Sequence, residues 1–148
     1  MQKLDWSTPF RDVQSLVCEA IQSGEAEDLF LQVVEHHVSD QEGSLTIGGV
    51  TLSGLRPIER TATSRQWRVY WDYVVAFKSS SESFYFSIYC IDGPESGRSF
   101  KVAESVWLEE LRAEGVLEAV YPTCQHFVIC TDHKIIEVLA PREPRIET

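Results

Sequence analysis

The chain has 148 residues, of which 43% are hydrophobic and 24% charged, with a formal net charge of −10. That is the size and balance of one compact globular unit, and it excludes a disordered, collagen-like or coiled-coil chain. The excess of 23 Asp and Glu over 13 Lys and Arg speaks against a nucleic-acid binder, which needs a basic footprint, and no apolar run approaches the ~20 residues that cross a bilayer.

The first expected element is a helix. Ser7 or Thr8 can cap it, Pro9 suits its first turn, and Asp12 complements its positive end. Phe10, Val13, Leu16, Val17, Ala20 and Ile21 recur every three or four residues, and Gly24 is a plausible stop. Residues 29–38 carry enough β-branched side chains to favour a strand. After a turn at Asp40-Gln41-Glu42-Gly43, Leu45, Ile47, Val50 and Leu52 surround Gly48-Gly49, as in a tight hairpin or a bulged strand. Residues 55–66 read as a polar connector.

The clearest strand signal follows. Trp67, Val69, Trp71, Tyr73, Val75 and Phe77 alternate with Arg68, Tyr70, Asp72, Val74, Ala76 and Lys78, which predicts one continuous strand with a core face. Ser79 to Ser83 is a loop, and the alternation of Phe84, Phe86, Ile88 and Cys90 predicts the second strand of a hairpin. Phe100 and Val102 mark a short strand. A second helix is expected near 103–115, with Val106, Trp107, Leu108 and Leu111 on its apolar side and Gly115 as its stop. A final hairpin turns at Asp132-His133, and residues 141–148 read as a polar tail. These elements predict an α+β fold: a single antiparallel, or mixed, sheet of about five to seven strands carrying the N-terminal and second helices, in one domain over 1–148 with a tail from about 141.

The residue types able to carry chemistry are few, and each has an ordinary structural explanation. Cys124, His126, Cys130 and His133 are zinc-ligand types, yet at about 3.3 Å per residue positions 124 and 130 of one extended strand lie about 20 Å apart. Buried thiols and surface histidines explain them more simply, and no metal or cofactor is expected. His36 and His37 are adjacent, so on a strand they point to opposite faces. Asp132-His133 has the elements of an acid–base dyad, but a turn favours Asp for backbone reasons. Gly93, Gly97, Arg98 and Ser99 form a sequence one residue short of a phosphate loop, with Arg where Lys is required. Arg56, Arg60, Arg65 and Arg68, near Trp67 and Tyr70, could form a basic aromatic patch, but acidic flanks give these arginines carboxylates to neutralise.

Charge is the remaining feature. Residues 1–55 carry net −7, residues 56–78 net +3, and residues 79–120 net −5. Glu25, Glu27 and Asp28 cluster in sequence with Asp40 and Glu42 nearby, and Glu109, Glu110, Glu114 and Glu118 fall at helix-surface spacing. The expectation is a non-enzymatic acidic protein-binding module, such as an immunity-type inhibitor of a basic bacterial toxin, with Glu25, Glu27, Asp28, Glu109, Glu110 and Glu114 facing the partner. That partner is a basic protein, with no nucleic acid and no membrane involved. One alternative is a small-molecule binding protein or enzyme with an aromatic pocket of Trp67, Trp71, Tyr73, Phe84 and Phe86. The other is a structural or oligomerisation domain. The first residues lack a secretory pattern, so the four cysteines read as reduced thiols of a cytoplasmic protein. Nine Arg against four Lys, with no Asn, is the usage a GC-rich bacterial genome would produce.

Overall fold

The computed structural model describes residues 2–81, 97–115 and 123–148. The chain is mostly β, which corrects the expected α+β class. Its elements are β1 (Gln2–Asp5), β2 (Leu16–Ser23), β3 (Leu29–Glu35), β4 (His37–Val38), β5 (Gly43–Ile47), β6 (Val50–Leu55), β7 (Ile58–Glu59), β8 (Gln66–Trp71), β9 (Ala76–Ser81), β10 (Ser99–Ala103), α1 (Val106–Ala113), β11 (Gln125–Cys130), β12 (Lys134–Ala140) and β13 (Arg145–Glu147). A five-stranded antiparallel sheet has the order β1-β10-β11-β12-β9, and a four-stranded one β13-β8-β3-β2. Two further ladders, β4-β7 and β5-β6, have two strands each.

The two larger sheets share one core. Leu29, Leu31 and Val33 of β3 and Trp67, Val69 and Trp71 of β8 come from one sheet; Phe127, Ile129, Ile136 and Val138 come from the other. Trp6, Phe10 and Val13, on the segment between β1 and β2, complete it. The ring of Phe127 lies 5.0 Å from Trp6 and 5.8 Å from Trp71, within the range of favourable aromatic pairs. Alternation along β11 and β12 therefore sends Phe127 and Ile136 inward and His126 and Glu137 to the opposite face, where α1 lies.

The N-terminal helix is not formed. Residues 6–15 are irregular, with turn bonds from Arg11 N–H to Thr8 O and Val13 N–H to Phe10 O, and β2 begins at Leu16. A bulge between Cys18 and Ala20 shifts the register against β3. It interrupts the two-residue alternation, so the inward side chains are Leu16, Cys18 and then Ile21. Among the described residues α1 is the one helix. Ser105 is its N-cap, accepting the Leu108 N–H, and Leu108 and Leu111 pack it against Leu139.

The long aromatic strand is divided. β8 ends at Trp71 and β9 begins at Ala76, in different sheets. The four residues between bond to both: Val74 N–H donates to Glu27 O and Val75 N–H to Leu139 O. After the crossing Phe77 is 37% exposed instead of buried. The expected tail is also partly a strand, since β13 pairs with β8 through Ile146↔Val69. The predicted strand at Phe84 to Cys90 lies outside the described residues.

Candidate functional site

Residues 37–59 form a two-stranded ribbon outside both large sheets. Its base pairs His37↔Glu59 and Val38↔Ile58, Ser39 N–H donates to Pro57 O, and the ladder continues through β5 and β6 to a turn at Gly48-Gly49. Both turn glycines have positive φ, 59° and 80°, as the tightest hairpin turns require, and this is why the sequence places two glycines there. Leu45 faces Leu52 and Ile47 faces Val50 across the ladder. Directly paired residues share a face, so these four side chains make one apolar face. Thr46 and Thr51 pair on the other, their hydroxyls 2.9 Å apart.

Among the described residues nothing covers that apolar face. Leu45, Ile47, Val50 and Leu52 are 48%, 66%, 62% and 52% exposed, and Val38, Leu55 and Ile58 are exposed as well. Of the ten exposed large hydrophobic residues among those described, these seven lie on the ribbon. Scattered apolar residues are normal on a protein surface, and this concentration on one ribbon departs from that pattern. A two-stranded hairpin is marginal by itself in water, which adds to the gain from covering it.

Three arginines of the basic connector lie beside carboxylates: Arg56 by Glu42 at 3.8 Å, Arg60 by Glu19 at 3.0 Å and Arg65 by Glu35 at 2.7 Å. The Arg65 hydrogen bond pulls the Glu35 carboxyl below its usual range. Of the six acids expected to face a partner, Glu25, Glu27 and Asp28 sit at the turn between β2 and β3, while Glu109, Glu110 and Glu114 belong to α1 and its C-cap. The first three thus come from a strand connection and the last three from a helix. Asp28 is engaged internally, accepting from Gly24 N–H at 2.9 Å and the Tyr70 hydroxyl at 3.3 Å. Burial, reinforced by the Asp28 charge, pushes the Tyr70 hydroxyl pKa up.

The zinc-ligand types do not converge. Among the described residues no group of three His, Cys, Asp or Glu side chains is placed to hold a metal. Cys124 packs with Leu108 and Leu139, Cys130 packs beside Phe100 and Val128, and His133 is exposed in the final turn. Burial raises the Cys124 and Cys18 thiol pKa values above that of a free thiol. Asp132 accepts from Ser15 and pairs with Arg98 at 2.8 Å, so it serves packing and not a dyad with His133. Arg98 donates to the carbonyls of Val13 and Gln14, a structural role for the residue beside Gly97. His36 and His37 separate: His37 reaches Glu35 at 3.0 Å, while His36 has a buried Nε2 with no hydrogen-bond partner.

His126 was expected at the surface and is 1% exposed. Its Nδ1 lies 2.7 Å from the Ser105 hydroxyl and its Nε2 3.0 Å from Glu137 Oε1, and Lys78 Nζ stands 3.5 Å from the other Glu137 oxygen. The Trp107 ring meets the imidazole edge-on at 5.6 Å and also carries Lys78 over its face at 4.3 Å. Beside this chain of contacts a cleft of about 490 Å³ opens between α1 and the β1–β10 edge, with Ser105, His126, Lys101 and Arg112 in its wall.

Comparison with family models, curated proteins and solved structures finds no match. The residues themselves therefore carry the functional argument. Trp67 and Trp71, expected to line an aromatic pocket, are 2% and 1% exposed in the shared core, and the cleft lies elsewhere. Phe84 and Phe86 lie outside the described residues. Neither the exposed ribbon face nor the His126 cluster is named by the sequence reading. The alternation at 45–52 marks the hairpin in the sequence, and the exposure of its apolar face is a finding of the structure.

Proposed function

We propose that this chain is a protein-binding module that docks a basic partner through the apolar face of the β5–β6 ribbon. The carrying observation is the concentration of exposed Leu45, Ile47, Val50 and Leu52 on one side of a hairpin whose other side is polar. Net charge selects the occupant. A second copy would bring another −10 against the −10 of the first, whereas a basic protein is attracted. Glu25, Glu27, Asp28, Glu109, Glu110 and Glu114 then act at long range, accelerating encounter, while the apolar face supplies the affinity. An inhibitor that masks a basic toxin is one form such a module takes.

The test is a photo-crosslinking amino acid placed at 47 or 50, with Thr46 and Thr51 positions as controls on the polar face. The expected product joins the full chain to a basic protein, from the apolar-face positions alone. Crosslinking to a second copy of the chain, with a dimer in sedimentation, would overturn the proposed occupant. Equal yields from both faces would overturn the docking face.

A further inference from the structure

Ser105, His126 and Glu137 have the composition and proton order of a nucleophile, its base and the carboxylate behind it. The Leu108 N–H donates to Ser105 Oγ at 3.2 Å, so the serine oxygen already accepts one bond. With Glu137 ionised, its carboxylate is the acceptor and His126 Nε2–H the donor across 3.0 Å. Nδ1 is then the remaining acceptor, and the serine O–H donates to it across 2.7 Å. Each proton points from serine to imidazole to carboxylate, the arrangement that activates a hydroxyl. Lys78 supplies the opposite charge behind Glu137 at 3.5 Å.

Three features of the surroundings bear on use. Ser105 and His126 both line the open cleft of about 490 Å³, where Ser105 is 4% exposed. The serine also stands at the turn from β10 into α1, directly after Glu104, a non-glycine residue held at φ 54°. Backbone strain of this kind needs support from its surroundings and concentrates at functional sites. As N-cap, Ser105 Oγ meets the positive end of α1, which favours negative charge developing there.

We propose that Ser105 is a covalent nucleophile toward small activated carboxylic esters, with His126 as its base and Glu137 as the positioning residue that orients the imidazole. Ser105 Oγ adds to the ester carbonyl carbon as its proton passes to His126 Nδ1. The carbonyl carbon–oxygen bond to the leaving group breaks, and that group takes the proton. Water then cleaves the acyl-serine, releasing a carboxylic acid and restoring the hydroxyl. The site is separate from the ribbon and does not depend on the docking reading.

The experiment treats the full chain with an alkyl fluorophosphonate and with p-nitrophenyl acetate. With the first, the Ser105 oxygen–phosphorus bond forms, the phosphorus–fluorine bond breaks and fluoride leaves. The expected result is one adduct by intact mass, mapped to Ser105, together with turnover of the acetate. Ser105→Asn keeps a capping oxygen for Leu108 N–H and should reduce turnover by about 100-fold or more; Glu137→Gln should slow adduct formation about tenfold. A folded chain that forms no adduct, or forms it at another residue, overturns the proposal. The adduct site on the unsubstituted chain decides even if both variants fail to fold, because a purely structural serine forms no adduct.

Discussion

Replacing Ile47 and Val50 together by Thr tests the ribbon most directly. The two side chains oppose each other at the tip of the ladder and are 66% and 62% exposed. Full burial of such a side chain is worth about 1.5–3 kcal/mol, so covering the exposed two-thirds is worth about 1–2 kcal/mol at each position. Thr keeps the β-branched shape and strand preference but replaces a methyl-bearing surface with a hydroxyl. The double variant should therefore lose about 2–3 kcal/mol of binding, a Kd about 30–150-fold weaker. Surface substitutions of this kind stay within about 0.5 kcal/mol in stability, so the thermal midpoint should hardly move. Titration calorimetry with the crosslinked partner, once purified, measures the first quantity, and thermal unfolding of the unbound variant measures the second. Unchanged affinity would refute the docking argument. A large fall in the midpoint would show instead that the face packs against the protein's own body.

Three further outcomes follow from other parts of the molecule. Charge-neutral Glu25→Gln, Glu27→Gln and Asp28→Asn together should lower the association rate at low salt, with the difference vanishing at high salt; stopped-flow mixing at two ionic strengths reads this, and an equal effect at both would exclude steering. Because the Glu35 carboxyl is held below its ordinary range in the folded chain, its stabilisation is present above the unfolded carboxylate's pKa and is lost as pH falls through the folded one. Glu35→Gln should flatten the loss of stability in that acid window, read by urea unfolding as a function of pH; an unaltered pH dependence would rule out the Arg65 pairing as its source. Cys124, with its thiol raised by burial, should react with a disulfide reagent far more slowly in the folded chain than in urea, and rapid reaction under native conditions would contradict its packing beneath α1.

Much of the β structure was readable because short-range alternation reports it directly. The hairpin at 45–52, the strand at 29–35 and the final hairpin each carry their turn and their period in adjacent residues. The N-terminal segment misled for a physical reason. Of the expected stripe Leu16, Val17, Ala20 and Ile21, Leu16 and Ile21 pack toward the core together with Cys18, a division set by the bulge and by pairing with β3. The aromatic run at 67–77 misled differently: its parity survives from Trp67 to Trp71, but the backbone bonds that break it belong to Glu27 and Leu139, far away in sequence. A change of sheet leaves no mark on side-chain alternation when apolar residues continue through it.

The two candidate sites show the same limit from opposite sides. The ribbon's residues were legible as a hairpin, since all of them are local, but whether an apolar face is covered depends on elements elsewhere. Only the exposures of Ile47 and Val50 show that nothing among the described residues packs there. Ser105, His126 and Glu137 are separated by 21 and 11 positions, and each has a reason to be present without the others: a helix cap, a strand polar residue, a hairpin acid. They meet because the register of β11 against β12 sets both His126 and Glu137 on the outer face, while α1 begins above them at Ser105. Alternation from the β11–β12 turn could have placed His126 and Glu137 on one face. It could not have shown that the face is buried, and burial is what makes a polar pair there depend on its hydrogen-bond partners.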